Sequence, residues 1–251
     1  MIFYFIQRRG SYFVGNSKIK TSRRNRMHKA TLKKYDILWG TGYITLFAVM
    51  AVLTYMGILA VWNKKFPYIG GFVQFLIFAT SGEILSTRIL YRNWEVNKCT
   101  AYKAVIWGIS GIFVTAAFFI VSGGVELAMR EGMLPFYGNL LVQAFFTSSS
   151  VNLFFGSVHS AAIRIFSNYF DEKYLRNKKL TAYEAVTSVE WGEFVEFTFF
   201  RTLPLFWIPI NTLVFLLPAN LQVSFAAMLS FVFGMLMALL KLRERRRINN
   251  A

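Results

Sequence analysis

The stretch Trp207–Leu240 reads WIPINTLVFLLPANLQVSFAAMLSFVFGMLMALL and runs straight into KLRERRR. Its second half, Leu221–Leu240, carries no charged residue. A run of about 20 mainly apolar residues is what a helix needs to cross the hydrocarbon of a bilayer. Pro209 and Pro218 punctuate the stretch, and Lys241 stops it. Proline lacks an N–H and biases its predecessor away from the α region, so Pro218 predicts a boundary between two helices. The rest of the chain agrees with a membrane setting: 55% of residues are hydrophobic and only 16% charged, against about 25% charged in soluble domains. A membrane barrel alternates over segments of about ten residues. The apolar runs here are long and unalternating. The expected fold class is therefore all-α, an integral membrane bundle of about six helices.

The other spans are expected at Ile37–Trp62, broken by Lys64-Lys65-Phe66-Pro67, and at Tyr68–Tyr91. The third is expected from an N-cap at Thr100 to about Val121, ended by Gly123-Gly124 and a polar loop over Glu126–Gly132. The fourth is expected from near Pro135 to Val158, followed by an interfacial or solvent-side helix and turn over His159–Lys179. Thr181-Ala-Tyr-Glu184 is a capping box that opens the fifth, over Trp191–Leu217, with interruptions at Pro204 and Pro209. With six spans, 24 lysines and arginines lie on one side of the membrane and 3 on the other. That asymmetry supports an even number of spans and puts both termini on the positive side. The domain division is a basic extension (1–36), one membrane domain (37–245) and a basic tail (246–251). Residues 1–35 hold ten Lys/Arg and no acid, which resembles a mitochondrial targeting segment. A solvated positive-inside flank is the other reading. The echo of Thr100-Ala-Tyr-Lys-Ala-Val105 in Thr181-Ala-Tyr-Glu-Ala-Val186 suggests a parallel repeat, with coincidence as the alternative.

Glu83 is the sharpest candidate for function, because a carboxylate inside an apolar span is costly. Arg88 or Arg201 would be its partner, and a packing contact is the plainer reading. Gly82 beside it suggests close backbone approach. Gln74 lies on the same helix. Glu190, Glu193 and Glu196, with Arg201 beyond, form either an ion path or a wet helix end. Asn139, Gln143, Thr147, Ser150 and Ser157 share one helical face, which lines a water-filled cavity or packs by hydrogen bonds. His28 and His159 lie far apart, Cys99 is the single cysteine, and no metal site or catalytic constellation is expected. Arg23, Arg24, Arg26, Lys33, Lys34, Arg245, Arg246 and Arg247 suit an anionic lipid such as cardiolipin, or a partner's acidic face. Charge alone also permits nucleic acid, but the region has few interleaved aromatics beyond Tyr12 and Phe13.

Pro67, Gly82-Glu83 and Asn93-Trp94-Glu95, followed by Trp207, Pro209, Asn211, Phe215 and Pro218 before a last helix and basic end, carry a resemblance. The chain resembles the family of Mpv-seventeen and the twenty-two-kilodalton peroxisomal membrane protein over about residues 59–245. Glu83 stands for the family's Asp and Thr87 for its Gln. Ile208 splits the Trp-Pro pair, and the Arg after the last Pro is absent or replaced by Gln222. The resemblance implies a small non-enzymatic membrane protein, often of the mitochondrial inner membrane or the peroxisome, with channel-like activity proposed for some members. From the residues themselves the first expectation is a structural accessory subunit, packed with other subunits in an inner-membrane assembly of respiratory-complex type, without a cofactor. A small channel or transporter using Glu83 and the polar face of the fourth span is the alternative.

Overall fold

Gly57 ends the first span. It sits at φ 72, a left-handed conformation that penalises any residue with a β-carbon. The helix therefore stops at Tyr55 rather than at Trp62. The computed structural model describes residues 22–94 and 96–249, with side chains described over 34–94 and 96–243. The elements are α1 (Ser22–Tyr55), α2 (Ile58–Lys65), α3 (Pro67–Tyr91), α4 (Lys98–Arg130), α5 (Leu140–Ser150), the π-helical π1 (Val151–Gly156) and α6 (Ser157–Leu175). They continue with α7 (Ala182–Thr187), α8 (Trp191–Val195), π2 (Glu196–Trp207), α9 (Ile208–Phe215) and α10 (Ala219–Asn249). No strand occurs among the described residues. Six helical rods are long and apolar enough to cross a membrane: Lys34–Tyr55, Pro67–Tyr91, Lys98–Arg130, Leu140–Leu175, Trp191–Phe215 and Ala219–Arg243. The chain is thus an all-α membrane bundle. Helix α1 runs unbroken through residue 36, where the basic extension was expected to end, and α10 runs on to Asn249.

Several boundaries differ from the sequence expectation. The N-cap of α4 is Asn97, whose side chain accepts from the Thr100 N–H at 3.2 Å, while Thr100 Oγ1 accepts from the Asn97 N–H at 3.3 Å. Thr100 is the returning partner of the box and not the cap. Helix α4 then continues through Gly123-Gly124 to Arg130. A glycine costs about 1 kcal/mol against alanine in a helix. Leaving backbone groups unpaired in hydrocarbon costs several kcal/mol each, so the helix persists. Asn139 caps α5, its side chain accepting from the Val142 N–H at 3.1 Å. The fourth span therefore starts after the turn formed by Phe136 and Gly138, both at positive φ. It continues through π1 and α6 without the break expected at His159. Thr181 and Glu184 do form a capping box, but the helix it opens is the short α7. Thr181 therefore caps a helix while Thr100 does not, and the TAYxAV echo occupies two different capping registers. Pro204 is accommodated inside π2 and Pro209 in the first turn of α9. Pro218 separates α9 from α10 as expected.

Helix α3 is central and packs along α10 on one side and α4 on the other. Lipid tails are as apolar as leucine, so helices in a membrane gain by fitting closely where small residues allow it. A Cβ on Gly82 would lie 2.8 Å from the Phe231 backbone, and one on Gly71 would lie 2.7 Å from the Gly111 carbonyl oxygen. Ser86 Oγ reaches the Gly234 carbonyl at 2.8 Å across the α3–α10 contact. Helix α1 is peripheral: Met50 is its only buried residue among those described. Aromatic rings hold it to the bundle, with Phe47 against Phe78 and Tyr43 against Phe231. At its positive-side end Asp36 accepts from Arg88 at 2.6 Å and from Trp94 Nε1 at 2.7 Å.

Candidate functional site

Two features lie inside the bundle and share one side chain. The first is a cluster of charges. Lys103, on α4, is 2% exposed. Its Nζ lies 3.0 Å from Glu83 Oε1 on α3 and 2.8 Å from Asp171 Oδ1 on α6. Three helices are thereby tied by one cation and two carboxylates. Cys99, one turn before Lys103, is buried with its Sγ 3.4 Å from Asp171 Oδ1. Trp107, one turn after it, donates Nε1–H to Glu83 Oε2 at 3.3 Å. Positions i and i+4 lie above one another on a helix, so Cys99, Lys103 and Trp107 face the acids together.

The second feature is a cavity of about 130 Å³ between α3, α4, π1, α6, π2, α9 and α10, walled in part by that same Trp107. Its lining is mainly apolar and aromatic, with Asn152, His159, Ser160, Thr198, Thr202, Asn211 and Ser230 as the polar members. Both π-helical segments face it: π1 supplies Asn152 and Phe155, and π2 supplies Thr198, Thr202, Leu203 and Trp207. Wide turns of this kind occur frequently at functional sites. His159 Nε2 lies 2.8 Å from Ser110 Oγ, and its ring stacks on Phe155 at 5.0 Å. A chain of amides crosses the wall. Ser148 Oγ donates to the Ile208 carbonyl at 2.7 Å, Asn152 Nδ2 donates to the Ser148 carbonyl at 2.8 Å, and Asn211 Nδ2 donates to Asn152 Oδ1 at 3.5 Å.

The sequence candidates are distributed unevenly around these features. Glu83 belongs to the charge cluster, but its partner is Lys103. Arg88 binds Asp36, and Arg201 pairs with Glu196. The sequence places Lys103 beside a polar turn, and nothing local pairs it with Asp171, whose helix is distant in the chain. Gln74 is buried away from the cavity. Its Nε2 donates to Asn63 Oδ1 at 2.8 Å, and Asn63 Nδ2 donates to the Asn220 carbonyl at 2.7 Å and to Ser224 Oγ at 2.8 Å. This network joins α2, α3 and α10. Asn139 is the exposed cap of α5. Gln143 and Ser150 are half-buried and Thr147 is buried, and α5 packs on α9. None of these four lines the cavity. The fourth span is therefore a packing face in its first half and reaches the cavity with polar side chains only from Asn152 onward, at Asn152, His159 and Ser160, while Ser157 is buried with its Oγ donating to the Leu153 carbonyl at 2.8 Å.

Glu196 and Arg201 pair with each other on the outer surface and are both exposed. Glu190 is exposed and Glu193 is half-buried. Lys34 is exposed at the start of the first span. Arg23, Arg24, Arg26, Lys33, Arg245, Arg246 and Arg247 lie on the backbones of α1 and α10, and their side chains lie outside the described residues. No metal-holding group occurs among the described residues. The chain matches no family model, no curated protein and no solved structure.

Proposed function

We propose that the protein is a non-catalytic membrane protein of channel or transporter type, in which the interior cavity holds the solute and the Glu83–Lys103–Asp171 cluster sets the charge beside it. The observation that carries this reading is Trp107, whose N–H donates to Glu83 and whose ring walls the cavity. A change of charge at the cluster is thereby felt at the cavity through one side chain. Ionisable groups inside a membrane bundle mark solute and proton pathways. The same reading is implied by the resemblance to the Mpv-seventeen family. The basic, acid-free N-terminal region supports the mitochondrial inner membrane as the location, with the peroxisome or another organelle as the alternative.

Conductance of the purified protein in planar bilayers tests the reading. Wild type conducts, Glu83→Gln falls at least tenfold, and Gln143→Leu, on the α5 packing face, conducts like wild type. Currents no larger than those of protein-free bilayers, or a Glu83→Gln variant equal to wild type, would sink it.

A second reading, an accessory subunit seated in a larger inner-membrane assembly and its anionic lipids, rests on the Glu196–Arg201 pair. Both residues lie in the fifth span, and their side chains are about 60% exposed on its outer face. Intramembrane charges almost always face protein or water, so a neighbouring subunit would cover this pair. Mild-detergent purification checks it: co-purifying subunits that are lost on Arg201→Leu support it, and a stable lone chain counts against it. Cardiolipin retained in the same preparation would support the lipid role of the basic ends.

A further inference from the structure

The outer face of the fifth span carries a charge pair that the bundle leaves uncovered. Arg201 is the one charged residue between Phe197 and Phe215, and it lies ten residues into the 25-residue span Trp191–Phe215. Ten helical residues rise about 15 Å, half of a hydrocarbon core about 30 Å thick. Its guanidinium pairs with Glu196, and the two side chains are 63% and 61% exposed. The winding of π2 makes this pair. Hydrogen bonds in a π-helix run from i to i+5, so residues four or five apart share a face, whereas five steps of an α-helix turn a residue about 140° away. Glu196, Phe200, Arg201 and Leu205 therefore form one outward ridge, with Phe200 72% and Leu205 76% exposed. Thr198, Thr202 and Leu203 take the buried side.

Charged side chains inside a membrane almost always face protein or water, and an acyl tail offers a partner to neither charge. The ridge holds one charge of each sign. The 24-to-3 charge split gives every copy of the chain the same orientation in the membrane. Under a two-fold axis along the membrane normal, two fifth spans then lie side by side, parallel and at one depth. Arg201 of one copy stands to Glu196 of the other at the offset along the helix that it has to its own Glu196. An isologous interface needs a surface complementary to itself, and two opposite charges at a fixed offset are such a surface. A foreign span would have to carry matching charges at both depths.

We infer that this ridge is the contact between two copies of the chain, in which Arg201 of each copy pairs with Glu196 of the other. The inference deepens the accessory-subunit reading, resting on it for the covering of the pair, and names the neighbour as a second copy.

The test co-expresses two differently tagged full-length copies and measures how much of one tag co-purifies with the other in mild detergent. Wild-type tags co-purify. Glu196→Arg puts two cations on each ridge and Arg201→Glu puts two acids there, so either variant recovers its own kind at least tenfold less than wild type does. Expressed together, the two variants restore both pairs and co-purify like wild type, which also shows that both fold. Wild-type tags that stay apart overturn the inference and need no variant to be folded. If a different protein then accompanies each tag and is lost on Arg201→Leu, the neighbour is a foreign subunit and the accessory reading stands alone. A variant that recovers its own kind as well as wild type overturns the inference, as does a mixture that recovers no more than each variant alone. Tags that meet with no other protein present uphold the contact and remove the larger assembly.

Discussion

Lys103 is a long cationic side chain 2% exposed inside an apolar helix, tolerated because two carboxylates meet it. Removing one partner of such a buried group costs about 3–5 kcal/mol, because a charge is left uncompensated. Lys103→Met is therefore expected to lower the detergent melting temperature strongly. The triple variant Lys103→Met, Glu83→Gln, Asp171→Asn should recover most of the loss. Thermal unfolding followed by circular dichroism reads both, and a Lys103→Met variant as stable as wild type would remove the cluster's structural role. Glu83 is legible as costly from its neighbours in the chain alone. Its partner is not, because Lys103 sits near a turn whose other cations are exposed. The one available signal is the Cys99, Lys103, Trp107 spacing, which puts the lysine on the face of an otherwise apolar helix.

The contacts between elements are set by where two backbones can approach. A Cβ added at Gly111 would collide with the Gly71 backbone, whereas one at Gly123 meets nothing within 4 Å. Gly111→Val should cost at least about 1–3 kcal/mol through overpacking of α3 on α4. Gly123→Ala should be neutral or stabilising by up to about 1 kcal/mol through helix propensity. Equal melting shifts for the two would show that the α3–α4 contact is not close. At α7 the Thr181 backbone N–H and hydroxyl both donate to Glu184 and hold its carboxyl below the usual carboxylate range. The cap therefore contributes fully above the ordinary glutamate value and is lost as pH falls through the lowered one. Hydrogen exchange at Ala182–Thr187 should quicken over that acid interval, after correction for intrinsic rates, and Glu184→Gln should remove the step. The capping box is legible in four consecutive residues, but the length of the helix it opens is not.

At the scale of the whole molecule, three of the six spans separate Lys64 from Lys179, which places them on opposite faces of the membrane. In sealed vesicles an impermeant maleimide should label Lys64→Cys and Lys179→Cys from opposite sides, in a background where the buried Cys99 is changed to alanine. Labelling of both from one side would break the even-span topology. The number of spans, their order and the positive side were determined by the sequence by itself. Transfer of a helix from water to hydrocarbon is a sum over its own residues, so Leu221–Leu240 reports its fate without knowing its neighbours. Only the tertiary structure decided which helices touch, that Glu83 meets Lys103 and Asp171, and that Asn211 lines a cavity. An apolar side chain in lipid gains little by facing a helix rather than an acyl tail. Partner choice therefore falls to close approaches at glycine and to polar groups that must find one another across the bundle, and neither is a property of a single span.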